Sequence, residues 1–316
     1  MTTQQNNLAF VFPGQGSQSV GMLAELAAEY AIVKQTFAEA SEVLGYSLWD
    51  LVANGPDTEL NQTQNTQPAM LAAGVATWRV WCELSGVRPA WMAGHSLGEY
   101  TALVCAGSIA FADAVKLVAA RGRLMQEAVP AGQGAMAAIL GLEDHQVVAA
   151  CVDAAAGQIV TAANFNAPGQ VVIAGETAAV DRAIEALKAL GAKRALKLPV
   201  SVPSHCALMS EAAEQLFELL QAIEVSSPNV TLIHNADVKS HTSPELIRLI
   251  LKDQLFKPVR WVDSVKFMFD QGVSNFVECG PGKVLMGLNK RIAADASHMS
   301  IFDVESLQSV VEQLNA

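Results

Sequence analysis

Between a short apolar run at residues 87–93 and a helical pattern at residues 97–106, the chain reads Gly94-His95-Ser96-Leu97-Gly98-Glu99. Gly-x-Ser-x-Gly in that setting calls for a strand that turns sharply into a helix, with glycines on both sides relieving the crowding around the serine. A chain that carries it must build a sheet with helices on its faces. The turn also lifts the serine hydroxyl to the end of the strand, so Ser96 is a candidate nucleophile able to take up an acyl group. The plainer alternative is a serine that only caps the following helix.

The first 130 residues agree with this constraint. Apolar runs at residues 8–12 and 87–93 alternate with longer helical patterns at residues 67–84, 97–106 and 111–129, as in an α/β sheet. The character changes near Gly132. From there the pattern predicts a strand at 135–140, a helix at 144–155, strands at 158–165 and 170–174 joined through Asn166-Ala167-Pro168-Gly169, then a helix and a strand ending by 202. This βαββαβ order is the ferredoxin-like plan. In its second helix Val180, Ala183, Ile184 and Leu187 share a face, Thr177 stands where a cap is needed, and Gly191 can end the helix. Beyond Ser204 come a helical pattern, a strand at 230–234, a helical run at 246–255, a strand at 275–278 and a helical tail. The expectation is a large domain interrupted by a smaller one.

Hydrophobic residues make up 51% of the 316 residues and charged residues 16%, enough apolar material for two cores and too much for disorder. No stretch of eighteen apolar residues suggests a membrane span. Residues 1–7 lack the basic and apolar regions of a secretory signal. The five cysteines, Cys82, Cys105, Cys151, Cys206 and Cys279, are scattered with no Cys-x-x-Cys spacing, which predicts a reducing, cytoplasmic setting and no zinc or disulfide framework. The net charge of −11 disfavours nucleic acid and anionic membrane as partners.

A serine nucleophile needs a base, and there are six histidines. His145 and His241 sit among polar residues and are expected to face solvent. His95 adjoins Ser96, but side chains diverge at a sharp turn, so it is given a supporting role at most. His205, in Ser201-Val202-Pro203-Ser204-His205, lies where the chain leaves the insertion on a proline-stiffened segment, and is the preferred base. His234 and His298 remain as alternatives. With His205 as base, the orienting partner need not be a carboxylate, since a carbonyl also holds the tautomer that leaves Nε2 free.

An oxyanion hole needs two backbone N–H groups, and the residue after the nucleophile, Leu97, supplies one. The glycines of Phe12-Pro13-Gly14-Gln15-Gly16-Ser17-Gln18 allow a second stretch of backbone to approach a ligand. A dinucleotide loop would need glycine where Ser19 stands, and no Walker lysine follows. Gly280-Pro281-Gly282-Lys283 reads as a strand-to-helix turn rather than a phosphate cradle. Arg121 is the sharpest physical clue. On its helical pattern Lys116, Ala120, Arg123 and Glu127 form a polar face, whereas Arg121 projects among Leu117, Val118, Leu124 and Met125. A guanidinium there must find an anion, either an internal Asp or Glu or a substrate carboxylate, or else snorkel to the edge.

Taken together these segments resemble, over nearly the whole chain, the stand-alone bacterial malonyl-CoA:acyl-carrier-protein transacylases of fatty-acid synthesis. The motifs that carry the resemblance are Phe12 to Gln18, Gly94 to Glu99, Arg121-Gly122-Arg123-Leu124-Met125-Gln126, Asn164-Phe165-Asn166, Pro203-Ser204-His205, and Gln254-Leu255 ahead of Pro258-Val259-Arg260-Trp261, all in family order. The resemblance implies that Ser96 is acylated, that His205 is the base, and that Gln254 orients it through a carbonyl. It implies that the backbone amides of Gln15 and Leu97 form the oxyanion hole and that Arg121 pairs with the malonate carboxylate. Leu97, where similar methylmalonyl-selective domains often carry Gln, leans towards malonyl.

The implied architecture is α/β: an α/β-hydrolase-like large domain with a parallel-type sheet over residues 1–131 and 204–316, interrupted by a ferredoxin-like small domain over residues 132–203. The implied partners are malonyl-CoA and the holo form of acyl carrier protein, with no cofactor, no metal, no nucleic acid and no membrane. Since carrier proteins are acidic, Lys193, Arg194 and Lys197, and Lys290 with Arg291, are candidates for a basic docking surface. The rival readings are a serine thioesterase or carboxylesterase, which has no need of an arginine on an apolar helix face, and a catalytically silent acyl-binding subunit, which has no need of both Ser96 and His205.

Overall fold

A computed structural model describes residues 2–199 and 202–315. Met1 and Ala316, at the ends of the large expected segment, and Val200 and Ser201, within the small one, lie outside the described residues. In chain order the strands are β1 (Thr3–Phe12), β2 (Val87–Gly94), β3 (Gly134–Leu140), β4 (Val160–Ala167), β5 (Gln170–Glu176), β6 (Arg194–Lys197), β7 (Thr231–Ile233), β8 (Asn275–Cys279) and β9 (Ser297–Ile301).

Five of them form a parallel sheet in the order β7-β2-β1-β8-β9. β1 is its middle strand, and Leu8 to Phe12 are all fully buried because helices cover both faces. On one face Phe10 packs against Trp78 and Trp81 of the helix Thr63–Leu84, with ring centroids 5.3 Å apart in both pairs. On the other, Ala9 and Val11 share a cluster with Trp261, Val265 and Met268 of the helix Trp261–Asp270. The polar start of β1 pairs with Val87 to Pro89 of β2 before a register shift between Gln5 and Ala9. β9 falls inside the stretch read as a helical tail. That tail is in fact the helix Val284–Ile292, β9 and the helix Val304–Asn315, and five residues of edge strand were too short to stand out as a period.

The second sheet is antiparallel, in the order β4-β5-β3-β6, with the helices Asp144–Ala155 and Thr177–Ala189 packed on one face. The βαββαβ order is therefore present. The hairpin between β4 and β5 is tighter than expected, because β4 runs on to Ala167 and only Pro168-Gly169 turn the chain. Thr177 does not cap its helix: Glu176 holds the N-cap position, and the Thr177 hydroxyl donates to the Gly132 carbonyl, 2.8 Å away, at the neck of the insertion. The opposite face, with Met136, Val172 and Ala174, meets Cys206 as the chain returns. β4 also pairs with the segment after the helix Pro244–Phe256, through Phe165 N–H to Val259 O at 2.9 Å and Val259 N–H to Ala163 O at 2.8 Å. No helix among the described residues is long and apolar enough to cross a membrane.

The turn at Ser96 shows why its glycines are needed. A Cβ on Gly94 would collide with the backbone of Gly98, and one on Gly98 with the carbonyl of Phe12, so β2, the helix Gly98–Cys105 and the end of β1 touch through bare backbone. Gly94→Ala and Gly98→Ala should each lower the unfolding free energy by about 1–3 kcal/mol or more. Gly287→Ala, in a helix with open space around it, should raise it by about 0.5–1 kcal/mol. Urea denaturation of the three variants measures this, and neutral elbow variants would contradict the packing argument.

Candidate active site

The parallel strands end along one edge, where β1 runs into Pro13-Gly14-Gln15, β2 into His95-Ser96 and β7 into His234-Asn235. In a sheet of this kind ligands gather beyond the carboxyl ends of the strands. A cavity of about 550 Å³ opens there, with Ser96, His205, Arg121, Gln15 and Leu97 in its wall and Met136 and Val172 of the small sheet facing them.

Ser96 sits at φ 51° and His205 at φ 61°, both in the left-handed region that non-glycine residues rarely adopt. Such strain persists only where the surroundings enforce it. At Ser96 they do so through Asn235, whose Oδ1 accepts the Ser96 N–H at 2.7 Å while its Nδ2 donates to the Gly94 carbonyl at 2.7 Å. At His205 the backbone N–H donates to the Leu255 carbonyl at 3.1 Å.

These two turns bring the side chains together. Ser96 Oγ lies 2.8 Å from His205 Nε2, and His205 Nδ1 lies 2.8 Å from the backbone carbonyl of Gln254. A carbonyl only accepts, so Nδ1 carries the proton and Nε2 presents its lone pair to the serine hydroxyl. His205 is 3% exposed. Burial, the Arg121 cation and His95 push its pKa down to about 3 against the opposing pull of the Gln254 carbonyl, so the imidazole is neutral at physiological pH.

Arg121 is 1% exposed and has no carboxylate within ion-pair distance among the described residues. Its donors go instead to Gln67 Oε1 at 2.9 Å, Gln254 Oε1 at 3.1 Å and Ser96 Oγ at 3.3 Å, with the Tyr100 ring 5.4 Å from the guanidinium carbon. Burial lowers its pKa, with Tyr100 and Glu99 opposing. Of the partners weighed from the sequence, an internal Asp or Glu and an exit to the surface are both excluded. The amides of Gln15 and Leu97 have no hydrogen-bond partner among the described residues and line the same cavity.

The remaining sequence candidates have other partners. His95 also lines the cavity, but its ring bonds to Asn166 Oδ1 at 2.8 Å and lies against Trp261, with no hydrogen bond to Ser96. His298 bonds to the Ala293 carbonyl. His145 is exposed, but His241 is not free in solvent as expected: it is half-buried, paired with Asp237 at 2.7 Å and packed on the His234 ring. Gly280 to Lys283 do form a strand-to-helix turn. Among the docking candidates, Lys197 is paired with Asp181 and Arg291 is bonded to Gln170 and Pro168, while Lys193, Arg194 and Lys290 are exposed.

Sequence reasoning missed Glu99, fully buried beneath the serine. Its carboxylate accepts from His234 Nδ1 at 2.8 Å, the Asn235 N–H at 3.0 Å and Gln254 Nε2 at 3.1 Å, and Gln254 Nε2 also donates to the Ser96 carbonyl at 2.8 Å. It also missed Asn235 and Gln67. The only local signal was a carboxylate directly after the elbow, on a helix with little polar surface.

A hydroxyl against a neutral, oriented imidazole is the arrangement of nucleophilic acyl transfer. The model of a family described as the acyl transferase domain matches residues 9–306, and the protein is an acyltransferase. A malonyl CoA-acyl carrier protein transacylase of Salmonella typhimurium is 58% identical over 305 residues, covering 96% of this chain and 99% of the relative. An acyl carrier protein S-malonyltransferase of Vibrio cholerae has a solved structure with TM-score 0.95 and 59% identity, covering 96% of this chain and 100% of that one. A malonyl-transacylase solved in complex with its type II PKS acyl-carrier protein gives TM-score 0.96 and 57% identity, with 98% and 100% coverage. The chain therefore belongs to the acyl transferase domain family, among the malonyl CoA-acyl carrier protein transacylases.

The depressed imidazole has a measurable linkage. An unfolded chain binds a proton at His205 near pH ~6.5, whereas the folded chain does so only near 3, so between these values the unfolded state holds the extra proton and stability rises with pH. His205→Gln should therefore reduce the slope of unfolding free energy against pH between pH 6 and 5 by about 1.2 kcal/mol per unit. Urea titrations at both pH values test it, and identical slopes would mean the imidazole is not depressed.

Proposed function

We propose that this protein transfers the malonyl group from malonyl-CoA to the phosphopantetheine thiol of acyl carrier protein through a malonyl-serine intermediate, in the service of fatty-acid synthesis. The observation that carries the reading is an arginine with no carboxylate partner among the described residues, 3.3 Å from a serine Oγ that is itself 2.8 Å from an oriented imidazole.

In the first half-reaction His205 Nε2 takes the Ser96 proton as Oγ attacks the thioester carbonyl. The tetrahedral oxyanion is held by the Gln15 and Leu97 N–H groups, a role supported by their lack of other partners among the described residues. The C–S bond then breaks, the imidazolium proton goes to the departing CoA sulfur, and a serine ester remains. In the second half the pantetheine thiol gives its proton to His205, its sulfur attacks the ester, and Ser96 leaves as the alcohol. Gln254 orients His205 through its backbone carbonyl, and Arg121 holds the malonate carboxylate by two parallel donors.

Distinct cores support two units, residues 1–131 with 204–316 and residues 132–203, the first α/β-hydrolase-like and the second ferredoxin-like by its βαββαβ order. The unpaired cysteines support a cytoplasmic setting. The exposed Lys193, Arg194 and Lys290 remain the proposed contacts for an acidic carrier protein.

Intact-protein mass spectrometry after brief exposure to malonyl-CoA should show one malonyl adduct on the parent chain and none on Ser96→Ala. The adduct should pass to holo but not apo carrier protein. Release of free malonate without an acceptor would favour the hydrolase reading, and no adduct would remove the malonyl one. Arg121→Ala should lower malonyl transfer tens-fold more than acetyl transfer, since losing one partner of a buried charge pair costs about 2–5 kcal/mol. Equal losses would sink the assignment of Arg121.

A further inference from the structure

We infer that Gln67 sets the acyl-group selectivity of this site, by holding Arg121 with an acceptor that carries no charge. The inference rests on the reading of Arg121 as the residue that binds the substrate carboxylate.

Gln67 is 1% exposed, on the helix Thr63–Leu84, and reaches Arg121 because the helix Phe111–Glu127 lies unusually close. A Cβ on Gly122 would come within 2.7 Å of both the Gln64 Cα and the Thr63 carbonyl oxygen, so only glycine at 122 allows this approach. The Gln67 amide is fixed at both ends: Nε2 donates to the Met125 sulfur at 3.3 Å, leaving Oε1 to accept from Arg121 Nη1 at 2.9 Å.

The other fixed acceptor is also an amide, Gln254 Oε1. The carboxylate of Glu99 is kept from the guanidinium by that same side chain, whose Nε2 takes Glu99 Oε2 while its Oε1 takes Arg121. Arg121 is thus oriented by dipoles, with no carboxylate of the described residues in contact and Glu99 acting only at longer range, until a ligand supplies one. A buried cation in that state is costly to the free protein and correspondingly attractive to an anion. One charged acceptor in the first contact layer would cancel the attraction. Arg121 Nε, which has no partner among the described residues, adds a further unused donor.

The test compares kcat/KM for acylation by malonyl-CoA and by acetyl-CoA in the parent, Arg121→Ala, Gln67→Glu and Gln67→Met, with thermal melting to confirm folding. Gln67→Glu keeps the shape and the acceptor but adds a negative charge. It should reduce the malonyl-to-acetyl ratio about tenfold or more, mainly through a higher KM for malonyl-CoA, and raise the melting temperature. Gln67→Met loses the acceptor without adding charge and should keep more of the ratio. A purely structural role predicts the reverse order, because the isosteric variant would then be the milder one, and that result would overturn the inference. So would a parent-like ratio in Gln67→Glu alongside a collapsed ratio in Arg121→Ala, which leaves the reading of Arg121 intact. Equal malonyl and acetyl losses in Arg121→Ala would overturn that reading and the inference with it.

Discussion

A buried guanidinium with no carboxylate in contact among the described residues governs the layout of this site. Arg121 projects from the apolar face of its helix into a space closed by two other helices and the serine turn. Desolvation makes that position unfavourable unless every nearby acceptor is turned towards it, and the structure does this with amide oxygens from Gln67 and Gln254. The close helix packing at Gly122 and the helix Pro244–Phe256 deliver those two side chains.

Gln254 joins the two halves of the site. Its backbone carbonyl fixes the His205 tautomer, its Oε1 faces Arg121, and its Nε2 faces both the Ser96 carbonyl and Glu99. One residue therefore couples the base, the cation and the buried carboxylate, so substitutions here act as a unit rather than additively. Glu99, with His234 and Asn235, forms the floor on which the serine turn rests.

The small sheet closes the cavity over this floor. One of its faces covers its own two helices, and the other brings Met136 and Val172 opposite the serine. The pairing of β4 with Val259 fixes that sheet to the segment that follows Gln254. Apolar Met136 and Val172 thus share one cavity wall with Ser96 and its neutral imidazole partner.

Much of this was legible in the residues. The elbow gave strand, turn and helix in order, the periodicity of the insertion gave βαββαβ, and an arginine among leucines and methionine marked a buried cation. Those features are local, written in spacings of a few residues, and short-range sterics and burial enforce them. The misses were of another kind. β9 was too short for its period to show, Thr177 bonded across the neck instead of capping, and His241 found Asp237 and the His234 ring. Tertiary structure alone decided that Gln67, Glu99 and Asn235, separated by up to 168 residues (235 − 67), would gather with Gln254 around Ser96 and Arg121. A side-chain amide reads as ordinary polar surface until its partners are known, because hydrogen bonding depends on position in space and leaves no periodic trace in the chain.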